Sequence, residues 1–195
     1  MSKLYEDNWV DGLQQGEILR DVRQYNPVTI DDKLKIETIE YPLAIVMSQD
    51  CDLEQDYTQR RSPNPEKQHR ILANVLLCRI RLLKDFFPEF CRINSLSSKP
   101  DKALSSTAWN YLTSNRDDRY HILYENPKHS LNHMAIIFNE YFTVPTNTLY
   151  REISENKTER VCFLTSPYKE HLSTRFHYFH FRVALPENYV IEFKP

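Results

Sequence analysis

A short apolar run that ends abruptly in polar residues constrains the fold of this chain most. Residues 43–47, Leu-Ala-Ile-Val-Met, are followed at once by Ser48, Gln49, Asp50, Cys51 and Asp52. A run of this length, bounded by polar residues, is typical of a buried strand. The sequence therefore predicts a core strand whose C-terminal end carries two carboxylates and a thiol, and strand ends are common places for functional residues.

Asp50 and Asp52 are the first candidate site residues. If extended geometry continues past Met47, the two carboxylates point to one side, about 7 Å apart at Cα, and Cys51 points to the other. Two carboxylates this close can hold Mg²⁺ or divide the acid and base roles of a reaction. Asp and Ser after a strand are also ordinary turn formers. Both interpretations, a site and a turn, stay open.

Composition limits the classes of function. A chain of 195 residues, 41% of them hydrophobic, is expected to form a single domain, 1–195, with its own core. It contains only 2 glycines, which argues against a glycine-rich phosphate loop and a Rossmann fingerprint, and so against most nucleotide-binding classes. No cofactor is expected. The four cysteines form no C-x-x-C pair, and no structural metal site is expected.

Charge and the N-terminal residues bear on partners and location. A net charge of −2 gives no overall attraction to nucleic acid or to an anionic membrane. Residues 1–6 lack the basic and apolar regions of a signal peptide, and no run approaches the length of a membrane span. We expect a cytoplasmic protein without membrane contact.

Strand-like patterns dominate the first three quarters of the chain. Lys33–Ile39 alternates apolar and charged residues, which is typical of a half-buried strand. Residues 54–70 are polar and predict a loop, while residues 84–113 are broken by Pro and Ser and predict an insertion with one helix near 103–112. The other predicted strands are Gly16–Leu19, Leu43–Met47, Ile71–Ile80, Arg119–Tyr124 and Met134–Val144.

The clearest helix is the last element, predicted over residues 166–185. Ser166 is expected to cap it, with Pro167 as the first helical residue. Pro186 ends the helix, and Tyr189–Phe193 predicts a short strand or an extended tail. The apolar stripe expected on one face comprises Tyr168, Leu172, Phe176, Phe179 and Val183; Tyr178, Phe181 and Leu185 lie on another side.

Strands followed by one strong helix predict a mainly β (α+β) fold, a small twisted barrel with a helix packed across it. Its core is expected in residues 16–150. His177 and His180, three residues apart on the helix, are metal-ligand candidates, but their aromatic surroundings favour packing.

A charged turn supplies two more candidate site residues. Asn115–His121 enters a predicted strand and carries Arg119 and His121. Beside an acidic strand end, these would provide the cation and the general base of phosphodiester chemistry. A solvated turn is the alternative.

Several segments in order resemble the PemK/MazF-like family. They are Gly16–Leu19, the run Tyr41-Pro-Leu-Ala-Ile-Val-Met-Ser-Gln-Asp50, the strand Asn74–Ile80 and the later stretch Leu131–Leu149. The resemblance implies an SH3-like barrel and an RNA-cleaving toxin or a relative of one. Two positions depart from the family pattern, because Tyr41 replaces a basic residue and the expected Thr on the next strand has no counterpart. Arg79, on the same predicted strand, is the candidate to replace the missing family residues.

Three functions follow as hypotheses. The first is a prokaryotic toxin or anti-phage defence protein that acts on or near RNA, with a catalytic site drawn from Asp50, Asp52, Arg79, Arg119 and His121. The second is a non-catalytic interaction subunit of such a system, which binds a protein partner or a second copy through the C-terminal helix. The third is a metal-dependent hydrolase that uses Asp50, Asp52 and a histidine.

Overall fold

A seven-stranded antiparallel sheet, curled into a half-barrel, organises this mixed α+β protein. The computed structural model describes residues 3–63, 70–93 and 107–181. Within these ranges five α-helices accompany the sheet, together with a short 3₁₀ turn at Pro127–His129. No helix in them is long and apolar enough to cross a membrane.

The strand order in the sheet is β1-β7-β2-β3-β4-β6-β5. The strands are β1 (Tyr5–Glu6), β2 (Glu17–Ile30), β3 (Lys33–Val46), β4 (Asn74–Leu82), β5 (Tyr120–Leu123), β6 (Met134–Pro145) and β7 (Glu159–Leu164). The helices are α1 (Asp50–Arg60), α2 (Leu83–Ile93), α3 (Thr107–Thr113), α4 (Thr146–Ser154) and α5 (Tyr168–His180).

The two faces of the sheet bury different clusters. On one face Ile45 and Ile136 pack with Leu172 and Phe176 of α5. The other face carries a cluster in which α1 and α4 contribute Leu53, Leu149 and Ile153, and a second cluster in which α2 and α3 pack on β5 and β6. The sheet is therefore the central layer, and of the described helices α5 packs on one side and the other four on the opposite side.

The predicted stripe on the C-terminal helix is confirmed where the structure describes it. Leu172 and Phe176 are buried against the sheet, and Tyr168 and Phe179 pack at the edge of the same cluster. The predicted cap is wrong, because Pro167 occupies the cap position and the carbonyl of Thr165 accepts the first helical N–H groups. The predictions for Val183, Leu185 and Tyr189–Phe193 lie outside the described residues.

Residues 50–60 form a helix where a strand end and a loop were expected. Helix α1 has no apolar stripe; its buried residues are Leu53 and Asp56. The fully buried Asp56 carboxylate accepts hydrogen bonds from Arg60 Nε and from Leu72 N, each 2.8 Å long. Because a buried ion pair rather than hydrophobic periodicity anchors this helix, its sequence resembles a loop.

Three further elements differ from the expectations. Residues 83–93, expected in an irregular insertion, form α2, which buries Phe86, Phe87 and Phe90. Strand β7 and helix α4 were not expected from the sequence. Helix α3, at Thr107–Thr113, confirms a helix close to the predicted place.

Strands β2 and β3 form a hairpin of two 14-residue strands joined by Asp31 and Asp32. Both linking residues have positive φ, 52° and 58°, which fits the two-residue turns that follow the twist of a hairpin. Asp21 and Pro42 lie opposite each other but are not paired in this ladder. Asp21 has φ 58°, and Pro42 has no N–H to donate. We call residues 17–22 and 41–46 the hairpin root and residues 23–40 the hairpin arm.

Lys33–Ile39, within the hairpin arm, was expected to be half-buried, and this is wrong. The strand itself is confirmed, but Leu34 and Ile36 are 75% and 70% exposed. The base of the arm is held through Arg23 and Tyr25, which both bond to Glu152 of α4. Beyond that point β2 and β3 pair only with each other in the described parts of the chain.

Candidate functional site

Asp50, Cys51 and Asp52 form the first turn of α1, not an extended strand end. Strand β3 ends at Val46, and the N–H groups of Met47 and Ser48 both donate to the carbonyl of Leu76. Helix α1 then starts at Asp50, and acidic residues in a first turn are favoured by the helix dipole. The expected geometry, with both carboxylates on one side, is therefore corrected, because residues two apart on a helix do not face each other.

Asp50 connects three segments of the chain. Its Oδ1 accepts a hydrogen bond of 2.7 Å from the N–H of Gln15, and its Oδ2 pairs with Lys169 Nζ on α5. The pair is partly accessible, with 41% of the Asp50 side chain and 25% of the Lys169 side chain exposed. These bonds hold the start of α5 against the segment before β2.

Gly16 makes this close approach possible. It has φ +79°, and a Cβ there would lie 3.2 Å from Cβ atoms of Leu164 and Lys169. A side chain at this position would therefore strain the backbone and push α5 away.

Asp52 and Cys51 remain at the surface. The Cys51 Sγ is exposed and contacts Gln49 Oε1 at 3.7 Å and Asp52 Oδ1 at 3.8 Å. Neither contact is an imidazole or an amine, the groups that commonly activate a nucleophilic thiol.

Arg79 lies on β4 on the face covered by α1 and α4. It pairs in the sheet with Ala44 and makes a 3.0 Å ion pair with Glu140, and 41% of its side chain is exposed. Tyr41, at the position of the family's basic residue, stacks on Phe142 with ring centroids 3.7 Å apart. Its hydroxyl donates to Gln24 Oε1 at 3.0 Å, so Tyr41 is part of the packing.

Arg119 is held by its own turn. Its Nε and Nη2 donate to the two carboxylate oxygens of Asp117, at 2.9 and 2.7 Å. Asp117 is only 7% exposed, and its hydrogen bond raises the pKa of the Arg119 guanidinium. A bidentate pair of this kind fixes the guanidinium in place.

His121 is buried on the opposite face from Arg79. It pairs with Ile136, whose side chain lies in the cluster under α5, and it is 5% exposed. Burial, followed by the charges of Arg175 and His171, lowers the pKa of His121 to about 3. The ring is therefore neutral near pH 7 and a weaker base than an ordinary imidazole.

Helix α5 fixes the segment that leads into β5. Arg175 donates to the carbonyls of Asn115, Asp117 and Tyr120 at 2.6–2.8 Å. The His171 ring lies 5.4 Å from the His121 ring, centroid to centroid. Asp50 and His121 thus both contact the first half of α5, whereas Arg79 lies across the sheet. The five candidates do not assemble into one cleft.

The hydrolase and histidine hypotheses both require a group of metal-binding side chains. Among the described residues no group of three or more His, Cys, Asp or Glu side chains is placed to hold a metal ion. His177 Nδ1 lies 2.8 Å from the carbonyl of Ser173, and the His180 ring packs on Tyr141, Phe176 and Phe179. The packing interpretation fits the His180 ring, whereas His177 is exposed and bonded to its own helix.

The outer face of α5, near these residues, carries two large exposed aromatic side chains. Tyr178 and Phe181 are 69% and 76% exposed, as expected for the side of the helix that faces away from the sheet. They border a shallow groove that also includes Gln15, Ser173 and His177. Gln15 connects this groove directly to the Asp50–Lys169 pair through its backbone N–H.

Glu17 and Arg160 are a buried pair that the sequence did not single out. Glu17 is fully buried, and Arg160 donates to it and to the carbonyls of Val10 and Gly12. Burial raises the pKa of Glu17 despite this partner. The two residues are 143 positions apart, so only the sheet brings them together.

Comparison with known proteins assigns this chain to no group. No protein-family model matches it, and no curated protein matches it at a significant level.

Proposed function

We propose that this chain is a protein-binding subunit of a prokaryotic toxin or anti-phage defence system, and that it contacts its partner through the outer face of α5. The observation that carries the proposal is the exposure of Tyr178 and Phe181 beside the groove that includes Gln15. Large exposed aromatic side chains are the usual centre of protein interfaces. The link to toxin or defence systems is supported by the resemblance of Tyr41–Asp50 and its neighbouring segments to the PemK/MazF-like family.

The state of the catalytic candidates supports binding over catalysis. Asp50, Arg79 and Arg119 are each paired with an oppositely charged side chain. His121 is buried with a lowered pKa. Catalytic groups must reach a substrate in a shared cleft, and Arg79 and His121 lie on opposite faces of the sheet.

Action on RNA is the second proposal, and the curled antiparallel sheet favours it. Such a sheet suits a divergent SH3-like barrel of the PemK/MazF-like kind. In that case strand scission would proceed by attack of a 2′-hydroxyl, with an Arg stabilising the charge that develops at phosphorus. The exposed part of Arg79 is the most accessible candidate for that role.

The interaction proposal is tested with a double substitution, Tyr178→Ser with Phe181→Ser. The tagged chain is co-expressed with the proteins encoded beside it, and the retained partner is quantified. We expect the double variant to lose the partner while its thermal midpoint stays at the wild-type value. Tyr124→Ser is the matched control, because Tyr124 is 58% exposed in the segment that follows β5. Equal retention by the double variant, or a wild-type chain that binds none of these proteins, would contradict the proposal.

The RNA proposal is tested by incubating the pure chain with single-stranded RNA in EDTA. Cleavage in EDTA that is lost in Arg79→Ala supports the PemK/MazF-like mechanism. Cleavage that EDTA abolishes and Mg²⁺ restores, and that Asp50→Asn and Asp52→Asn remove, supports the metal-dependent hydrolase. Intact RNA under both conditions leaves the interaction subunit as the function.

A further inference from the structure

We propose that the free edge of β3 in the hairpin arm pairs, antiparallel, with the same edge of a second copy of this chain, about a two-fold axis at Ile36. This inference is independent of the proposed function, since it concerns a different surface from the outer face of α5. It rests on the pairing register, the position of one proline, the order of charges along β3 and the exposure of two apolar side chains.

The edge of β3 is free over most of its length. On one side β3 pairs with β2 from Lys33 to Ile45. On the other side it pairs with β4 only at Ala44, Ile45 and Val46. Among the described residues, no strand pairs with that second side between residues 33 and 43. Unpaired strand edges are templates for pairing with another chain.

Pro27 shows which backbone groups point outward from this edge. Pro27 lies directly opposite Ile36 and has no N–H, so this pair is a non-hydrogen-bonded one. The N–H and C=O of Ile36 therefore point away from β2, and by alternation so do those of Leu34 and Thr38. The outer edge of β2 is interrupted at Pro27 itself, whereas the matching stretch of β3 keeps all of its donors.

The charges on β3 select one register for self-pairing. The sequence Lys33-Leu-Lys-Ile-Glu-Thr-Ile39 carries its positive charges before Ile36 and its negative charge after it. An antiparallel pair centred on Ile36 places Lys35 opposite Glu37 twice, and Leu34 opposite Thr38 twice. Centring one residue earlier would place Lys33 opposite Glu37 but would also oppose Lys35 to Lys35. Centring one residue later would oppose Glu37 to Glu37. Opposite charges across strands stabilise pairing and like charges destabilise it.

The hydrogen-bonding pattern agrees with the same register. The residues whose groups point outward, Leu34, Ile36 and Thr38, become the hydrogen-bonded pairs of the new ladder. The Lys35–Glu37 pairs fall at the closer, non-hydrogen-bonded positions, where side chains interact best. A two-fold axis makes the contact isologous and closed, so it produces a dimer and not a fibre.

Exposed apolar surface supplies the driving force. Leu34 and Ile36 are 75% and 70% exposed in the single chain, although their alternation with charged residues is typical of a strand with one covered face. Pairing brings both copies of these side chains onto one face of a four-stranded sheet. A two-stranded ribbon is marginally stable in water, and further strands stabilise it.

Charge reversal tests the register. Lys35→Glu alone, or Glu37→Lys alone, puts like charges opposite each other twice, and we expect each to raise the dimer dissociation constant at least about 10-fold. The double variant, Lys35→Glu with Glu37→Lys, restores opposite charges and returns the constant to near the wild-type value. Lys33→Glu is the matched control, because Lys33 faces Ile39 in this register. Sedimentation velocity over a concentration series measures all five proteins.

Disulfide trapping tests the axis itself. In a Cys51→Ser background, which removes the exposed native thiol, Ile36→Cys should oxidise to a covalent dimer. Its two copies would lie about 5.5 Å apart at Cα, within the range of a disulfide. Leu34→Cys should not cross-link, because its copies would lie about 13 Å apart. A wild-type chain that stays monomeric at every concentration, single charge variants that dimerise normally, or equal cross-linking at both positions would each overturn the proposal.

Discussion

The hairpin root and the hairpin arm belong to the same two strands, but the root is buried and the arm is exposed to solvent. In the root Ile18 and Ile45 are fully buried, while in the arm Leu34 and Ile36 are mostly exposed. Ile45 and Ile36 are the same residue type on the same strand, nine positions apart. The difference arises from their neighbours, since the root is covered by α5 on one face and by α1 and α4 on the other. Period-2 alternation thus indicates which residues share a face but not what covers that face.

An ion pair from each region shows the same difference in burial. In the root Glu17 is fully buried and bonded to Arg160. In the arm Arg23 pairs with Glu40, whose side chain is 69% exposed. Water screens the second pair far more than the first, in which Glu17 is fully buried, so breaking the buried pair has the larger cost.

The largest effect is expected when Arg160 is removed. Arg160→Leu leaves the Glu17 carboxylate buried without its cation and should lower the free energy of unfolding by about 3–5 kcal/mol. Urea denaturation measures it. Adding Glu17→Gln to Arg160→Leu should recover part of the loss. Glu40→Gln in the arm is the control and should leave the unfolding midpoint unchanged; a similar loss from that change would remove the distinction between root and arm.

A pair of identical truncations compares the two environments directly. Ile45→Ala opens a cavity in the root and should cost about 2–5 kcal/mol. Ile36→Ala in the arm should cost about 0.5 kcal/mol or less when measured in dilute, monomeric protein. Equal losses in urea denaturation would mean that the arm is covered in solution even in the single chain.

Acid should destabilise the packed sheet through His121. The pKa of His121 in the folded protein is lowered to about 3, below its unfolded value of 6.5. Its contribution to stability is therefore present above pH 6.5 and is lost as the pH falls toward 3, because only the unfolded chain binds the proton. The slope is about 1.4 kcal/mol per pH unit.

Chemical denaturation at a series of pH values measures this slope. His121→Leu should reduce the slope between about pH 6 and pH 4. Ile36→Ala, in an arm that contains no histidine, should keep the slope of the wild type. A His121→Leu protein with an unchanged slope would show that His121 does not titrate on unfolding.

The smallest effect is expected at the tip of the arm. Asp31→Asn with Asp32→Gly supplies the residues that best tolerate the positive φ of this turn, and it should stabilise the hairpin by up to about 1 kcal/mol. Amide hydrogen exchange should show stronger protection in the arm, while the thermal midpoint of the whole protein stays the same. A shifted midpoint would show that the arm unfolds together with the root.

Much of the fold was accessible from local patterns. Parts of strands β2 to β6 and the stripe of α5 were predicted because alternation and four-residue spacing are properties of the chain itself. Residues 20–30 of β2 were not predicted, and β3 was predicted as two separate runs. Helix α1 was missed because a buried Asp56–Arg60 pair, bonded to the backbone of Leu72, replaces its apolar face. The candidate site was predicted less well, since Lys169 and Gln15, the partners of Asp50, lie 119 and 35 residues away from it.

The sequence by itself determined which residues can share a face, where the apolar runs stop and that the last helix has an apolar stripe, because these depend only on spacing along the backbone. Tertiary structure alone decided that Asp50 starts a helix and pairs with α5, that His121 is buried under that helix, and that Arg79 lies across the sheet. It also decided that the arm of a regular hairpin is exposed to solvent while its root is buried. Burial and pKa depend on what the rest of the chain places nearby, and that is fixed only when distant segments pack together.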